Sequence, residues 1–204
     1  MFVVVEGIEG SGKSTLIGGL ARRLEYTGQS VLMTREPGGT AVGDAIRRIF
    51  LDRSMAIAPL TEALLVNAAR AQHVTEVIRP ALSSGHVVLC DRFVDSTLAY
   101  QGHGRGLDLE LLREMCDLAV DGLKPDVIFV LNLPWQVARE RLRQRADAVD
   151  RVEGEDDAFH ERVRAGFLEL AQSPNHVLLD ATLSAEELAE RTFEILRAAR
   201  KGFS

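Results

Sequence analysis

The sequence predicts a three-layer α/β domain, a five-stranded parallel sheet with helices on both faces. Three observations predict it. Short apolar runs alternate with segments of helical periodicity along the whole chain, which is how repeated βαβ units read. Each apolar run ends in a polar or glycine-containing junction, and such junctions form the sheet edge where open α/β folds bind ligands. The 204 residues, 46% of them hydrophobic, suffice for one core, so a single domain is expected over residues 1–204.

Taken in order, the expected strands are Phe2–Val5, Ser30–Thr34, His86–Cys90, Asp126–Leu131 and His176–Leu179. The expected helices are Lys13–Tyr26, Val42–Leu51, Leu60–Ser83, Leu109–Val120, Pro134–Arg145, Asp156–Gln172 and Ala185–Arg200. The last begins with a capping box, Ser184 with Glu187, and carries Leu188, Ile195, Leu196 and Ala199 on one stripe, so its role is packing. Between Arg145 and Ala158 the chain is charged and poor in apolar residues, which marks a short mobile lid at about 144–157.

Composition excludes several classes of function. With 24 Lys and Arg against 30 Asp and Glu the formal net charge is −6, which opposes extended binding to nucleic acid. A small anion held by a few arginines and backbone amides fits better. No apolar run approaches the roughly 20 residues that span a bilayer, and the N-terminus lacks a basic segment followed by a long apolar stretch, so a soluble cytoplasmic protein is expected. Cys90 and Cys116 lack metal-ligand spacing and read as small buried apolar residues.

Four segments carry chemistry. Directly after Phe2–Val5 comes Gly7-Ile8-Glu9-Gly10-Ser11-Gly12-Lys13-Ser14, a match to the phosphate-cradling G-x-x-x-x-G-K-[ST] between a strand and a helix. Its glycines let backbone N–H groups approach phosphates, Lys13 reaches the outer phosphates, and the Ser14 hydroxyl suits Mg²⁺. The competing explanation is a glycine-rich turn with a chance lysine. Val87-Val88-Leu89-Cys90 ends in Asp91 and Arg92; Asp91 would join Ser14 at Mg²⁺, and the fork of Arg92 would bridge phosphates. Alone, that pair reads equally well as a structural ion pair. Thr34-Arg35-Glu36-Pro37-Gly38-Gly39-Thr40 is a stiff turn whose Pro and Gly suit any strand-to-helix junction, but Arg35 and Glu36 are charges pinned beside the phosphate site. Asp95-Ser96-Thr97-Leu98-Ala99-Tyr100-Gln101-Gly102 offers hydroxyl, aromatic and amide groups to a base and sugar, or is simply the polar start of a helix.

Together these segments, with Glu62-Ala63-Leu64-Leu65 and Arg70, resemble the bacterial thymidylate kinases over most of the chain. The phosphate loop is shared with many NTP-using proteins; Arg-Glu-Pro-Gly-Gly combined with Ala-Tyr-Gln-Gly is far narrower. The resemblance implies a P-loop NTPase fold, Mg-ATP and dTMP as ligands, and a homodimer. It implies that residues 7–15, through Thr15, bind ATP. Glu9 would hold the acceptor 3′-hydroxyl, Arg47 and Arg92 the acceptor phosphate, and Glu36, with Pro37 in its turn, would lie beside that phosphate. Arg70 would donate to thymine O4, with Ser96, Thr97 and Gln101 near the base. Tyr100 would pack under the sugar and disfavour a 2′-hydroxyl. Departures are Val66 where the family often has a stacking Phe, Phe93 for Tyr and Thr97 for Ser. Because residues 8–12 hold no basic side chain, the catalytic cation is expected from the lid, with Arg143, Arg145 and Arg151 as candidates and Arg151 preferred.

The expected activity is transfer of the ATP γ-phosphoryl to dTMP. Two other functions compete: a kinase for another nucleotide or nucleoside, and a P-loop regulatory NTPase, which would leave the acceptor-side segments without a purpose.

Overall fold

The computed structural model describes residues 1–144 and 149–201. Five parallel strands form one sheet: β1 (Phe2–Gly7), β2 (Val31–Arg35), β3 (Val87–Asp91), β4 (Val127–Asn132) and β5 (His176–Asp180), in the order β2-β3-β1-β4-β5. Central β1 is buried along its whole length, as an uninterrupted apolar run covered on both faces should be. Alternation along the strand then assigns its two faces. Phe2 meets Phe93 edge to face at 5.1 Å and Glu6 bonds Phe93 and Ser96, so the segment after β3 lies on the even-numbered face.

The helices are α1 (Lys13–Tyr26), α2 (Ala41–Leu51), α3 (Pro59–His73), α4 (Arg79–Ser83), α5 (Val94–Thr97), α6 (Leu109–Val120), α7 (Trp135–Arg143), α8 (Asp157–Leu170) and α9 (Ala185–Lys201). Helix α9 packs on α1, whereas α8 packs on the segment after α5 and on β1 and β4. The α9 capping box is formed: Glu187 N–H donates to Ser184 Oγ at 3.2 Å and Ser184 N–H to Glu187 Oε2 at 3.0 Å. Three caps that the sequence reading passed over start other helices. Thr40, Asp108 and Asp156 each accept the N–H three residues on, at 2.7–2.9 Å.

Two expectations are corrected. Every strand runs one or two residues further at its carboxyl end, because backbone pairing continues beneath polar side chains; Asp91 is still in register with Val5 and Arg35. The single helix expected at Leu60–Ser83 is α3 and α4 joined by a π-helical turn, Val74–Ile78. Pro80 has no N–H to give and crowds the preceding turn, and a widened turn just before it relieves both. The reading of Asp95–Gly102 as the polar start of a helix holds, with α5 running into a second π-helical stretch, Leu98–Gly104. The expected end of α7 at Arg145 lies outside the described residues.

The carboxyl ends of β1, β2 and β3 lie side by side at the point where the chain switches direction across the sheet, the crevice that open α/β folds use for ligands. Cys90 and Cys116 are both buried and unbridged, as expected.

Candidate active site

The phosphate loop leaves β1 and enters α1 through Gly10 (φ 73°) and Gly12 (φ 96°). Both occupy the left-handed region where a side chain is strained, and a Cβ on Gly10 would sit 2.8 Å from the Ala138 carbonyl of α7. No side chain caps α1, so its first N–H groups remain available to an anion. Lys13 is folded back, its Nζ donating to the carbonyls of Gly7 at 3.1 Å and Ile8 at 3.0 Å. Burial, then the neighbouring Arg92, lowers its pKa to about 8. A phosphate would restore the charge that the protein alone disfavours.

Ser14 Oγ donates to Asp91 Oδ2 at 2.9 Å, so the two predicted metal residues do meet. Two hard oxygens facing the phosphate loop suit Mg²⁺, which keeps waters and takes further ligands from phosphate. Among the described residues no cluster of three His, Cys, Asp or Glu could hold an ion by itself.

Arg92 stands at the centre of the site. Its backbone is left-handed (φ 73°), a costly conformation for a residue with a Cβ. Glu6, fully buried, holds the turn that follows by accepting from Phe93 N–H at 2.7 Å, Ser96 N–H at 3.2 Å and Ser96 Oγ at 2.6 Å. The Arg92 fork donates to the Gly7 carbonyl at 3.0 Å, to Ser96 Oγ at 3.2 Å and to Glu9 Oε1 at 2.8 Å. Tyr100 donates to Glu9 Oε2 at 2.6 Å, and Arg92 lies over the Tyr100 ring. Burial opposes ionisation of Glu9, but Arg92, Lys13 and the Tyr100 hydroxyl outweigh it, and the carboxyl sits below its ordinary range.

Arg47 of α2 donates to the Pro37 carbonyl at 3.1 Å. Burial first, then Arg35 and Arg92, depresses its pKa. Arg35 and Arg92 crowd the charge of Arg47, and such a convergence of cationic side chains marks a place for an anion.

Glu36 and Arg70 form a buried pair (Nε to Oε2, 2.8 Å), and His73, which the sequence reading did not single out, lies 3.0 Å from Glu36 Oε1 and 2.6 Å from Thr34 Oγ1. Arg70 spends its remaining donors on Asn67 Oδ1, Cys116 Sγ, the Phe93 carbonyl and Thr97 Oγ1. All five of its N–H groups are engaged within the protein.

These residues surround a cavity of about 580 Å³. Of the predicted site residues, Glu9, Gly10, Gly12, Lys13, Ser14, Thr15, Glu36, Pro37, Arg47, Val66, Arg70, Asp91, Arg92, Ser96, Thr97, Tyr100 and Gln101 line it. Gly7, Ile8 and Ser11 lie in the loop behind that wall.

Neither described lid candidate lines the cavity. Arg143 is exposed and does not line the cavity, whereas Arg141, two residues earlier on α7, does. Arg145 lies outside the described residues, as do residues 146–148 of the expected lid. Arg151 is turned away from the cavity, with Nε donating to the Phe50 carbonyl at 2.9 Å and Nη1 paired with Glu62. Its neighbours Asp150, Val152 and Glu153 line the cavity instead. Arg35, expected beside the phosphate site, lines the cavity from the end of β2, level with Asp91, whereas Phe50 was missed as a lining residue.

A parallel sheet whose phosphate loop and Ser-Asp pair open on an arginine-lined cavity defines a P-loop kinase for a small phosphorylated acceptor. The comparisons carry this to the family. The thymidylate kinase family model matches residues 5–192, and the chain belongs to that family. It is 47% identical to the thymidylate kinase of Halothermothrix orenii over 92% of each chain, and 47% identical to that of Thermomicrobium roseum over 98% of each. The crystal structure of thymidylate kinase from Ehrlichia chaffeensis matches with a TM-score of 0.76 and 31% identity, over 96% of this chain and 98% of that one. The protein is an ATP-dependent nucleoside monophosphate kinase.

Proposed function

We propose that the protein transfers the γ-phosphoryl of ATP to dTMP, giving dTDP and ADP. The observation that carries this is Arg92, which reaches the phosphate loop through the Gly7 carbonyl and the acceptor wall through Glu9. A group so placed can follow charge from donor to acceptor during a loose, in-line transfer that needs positioning and dispersed positive charge. Lys13 and the α1 N-terminus would hold the donor phosphates; Arg35, Arg47 and Arg92 would hold the acceptor phosphate. Mg²⁺ held by Ser14 and Asp91 would neutralise charge on the transferring phosphates.

Glu9 supports a deoxynucleotide acceptor: ionised, it accepts from a 3′-hydroxyl, while Tyr100 bonded to it closes the space beside the sugar. Arg70 at the cavity wall favours a carbonyl over an amino group. With its five donors engaged, thymine O4 would share one of them, while the amino group of cytosine would face the same donors and be left unpaired itself, at about 1–3 kcal/mol. Arg141 is the α7 cation placed to approach the donor. Exposed Leu60 and Leu64 on α3, beside exposed Val42 and Ile49 on α2, support a homodimer through this pair of helices, which sedimentation at micromolar protein would test.

ADP release with Mg-ATP, measured with and without dTMP, tests the activity. Release that depends on dTMP is expected. Equal rates would instead favour a hydrolytic switch.

A further inference from the structure

Glu62 of α3 is 1% exposed and receives side chains from two other elements. Gln101 Nε2 donates to its Oε2 at 3.1 Å, and Arg105 Nε and Nη2 donate at 3.2 and 3.0 Å. Both come from the π-helical stretch and the residue after it. Arg151 Nη1, from the loop at 149–156, pairs with Oε1. Arg105 also reaches Glu155 of that loop at 2.7 Å and lies over the Phe159 ring.

We propose that Glu62 is a positioning residue that couples the acceptor cavity to the loop at 149–156. The carboxylate that fixes Gln101 on the cavity wall also anchors Arg151, and the residues flanking Arg151 line the same cavity. Lifting the loop would withdraw Arg151 from a buried anion and leave one of its partners short. The loop therefore rests over the cavity when Gln101 and Arg105 are in place, and displacement of either loosens it. Arg151 acts here as a tether, held through Nη1 to a Glu62 carboxylate that it shares with Arg105.

The inference rests on the kinase function proposed above, in which a covered cavity separates phosphoryl transfer to dTMP from transfer to water. Its test is the ratio of dTMP-dependent to dTMP-independent ADP release, in wild type, Glu62→Gln, Arg151→Gln and the double variant. Folding is checked by circular dichroism and thermal unfolding. In either single variant the ratio should fall about 10-fold, with faster proteolytic cleavage within 149–156. The double variant should be no worse than the weaker single one. A folded Glu62→Gln with the wild-type ratio, or effects of the two substitutions that multiply, would overturn the coupling. Should Glu62→Gln not fold, Arg151→Gln decides alone, and a wild-type ratio there overturns it. Absence of dTMP-dependent release in the wild type would defeat the kinase function itself, a different result from normal wild-type coupling that the variants leave untouched.

Discussion

Arg92 and Glu9 are joined at 2.8 Å across the mouth of the phosphate loop. The contact ties a residue after β3 to one in the loop after β1, so the guanidinium proposed to follow the phosphoryl group is fixed relative to the carboxylate proposed to face the acceptor sugar. Lysine keeps the charge but lacks the fork that reaches Gly7, Ser96 and Glu9 together. Arg92→Lys should lower kcat by about 10²–10³-fold, with ATP binding by calorimetry near wild type; unchanged kcat would remove Arg92 from the transfer step.

Lys13→Ala should abolish turnover while the fold persists. Among the described residues the Lys13 side chain donates only to two loop carbonyls, so its loss leaves the packed core intact. Steady-state ADP release alongside far-ultraviolet circular dichroism checks both halves.

Val66 forms an apolar part of the cavity wall. A ring there would add a stacking surface, and base–aromatic stacking is worth about 1–3 kcal/mol. Val66→Phe should lower KM for dTMP by about 10-fold, with kcat little changed. A raised KM would mean the wall has no room for the ring.

Arg70→Ala should cost stability before it reports on base choice, because Glu36 would remain buried without its charged partner. Breaking one side of a buried pair costs about 3–5 kcal/mol, measurable as a lower urea midpoint. An unchanged midpoint would mean that His73 alone satisfies Glu36.

Glu6 gives a pH signature. Burial first, then Asp95, raises its pKa from 4.5 to about 7, against the opposing pull of Arg92 and its hydrogen bonds. A group whose folded pKa is raised adds stability that is full below its unfolded pKa and is lost as pH rises through the folded one. The stability of wild type relative to Glu6→Gln should therefore decline between about pH 5 and pH 7 and level off above. Urea unfolding of both proteins across that range measures it; a constant difference would contradict the shift.

Much of this was legible in the sequence, for stated physical reasons. The buried strands read as continuous apolar runs, and Lys13–Tyr26 and Leu109–Val120 were bounded correctly. The phosphate loop and Asp91-Arg92 were legible because their chemistry is local and their place at the sheet edge follows from strand order. What escaped depended on side-chain direction or distant partners. Arg151 looked like a free lid cation, yet its partner Glu62 is 89 residues away. Arg141 and Arg143 are equivalent in composition, and only the packing of α7 against the phosphate loop chooses between them. His73 carried no signal, since its role arises from Glu36 and Thr34 across the fold.

The most direct test of the central claim is a coupled ADP assay with Mg-ATP across dTMP, dUMP, dCMP, dGMP, dAMP and thymidine. The site predicts dTMP as the best acceptor and dUMP behind it by a modest factor, since one methyl is worth about 1–3 kcal/mol. It predicts little turnover of dCMP and none of thymidine, which has no phosphate for Arg47 and Arg92 to hold. Turnover of dCMP equal to or faster than that of dTMP would contradict it.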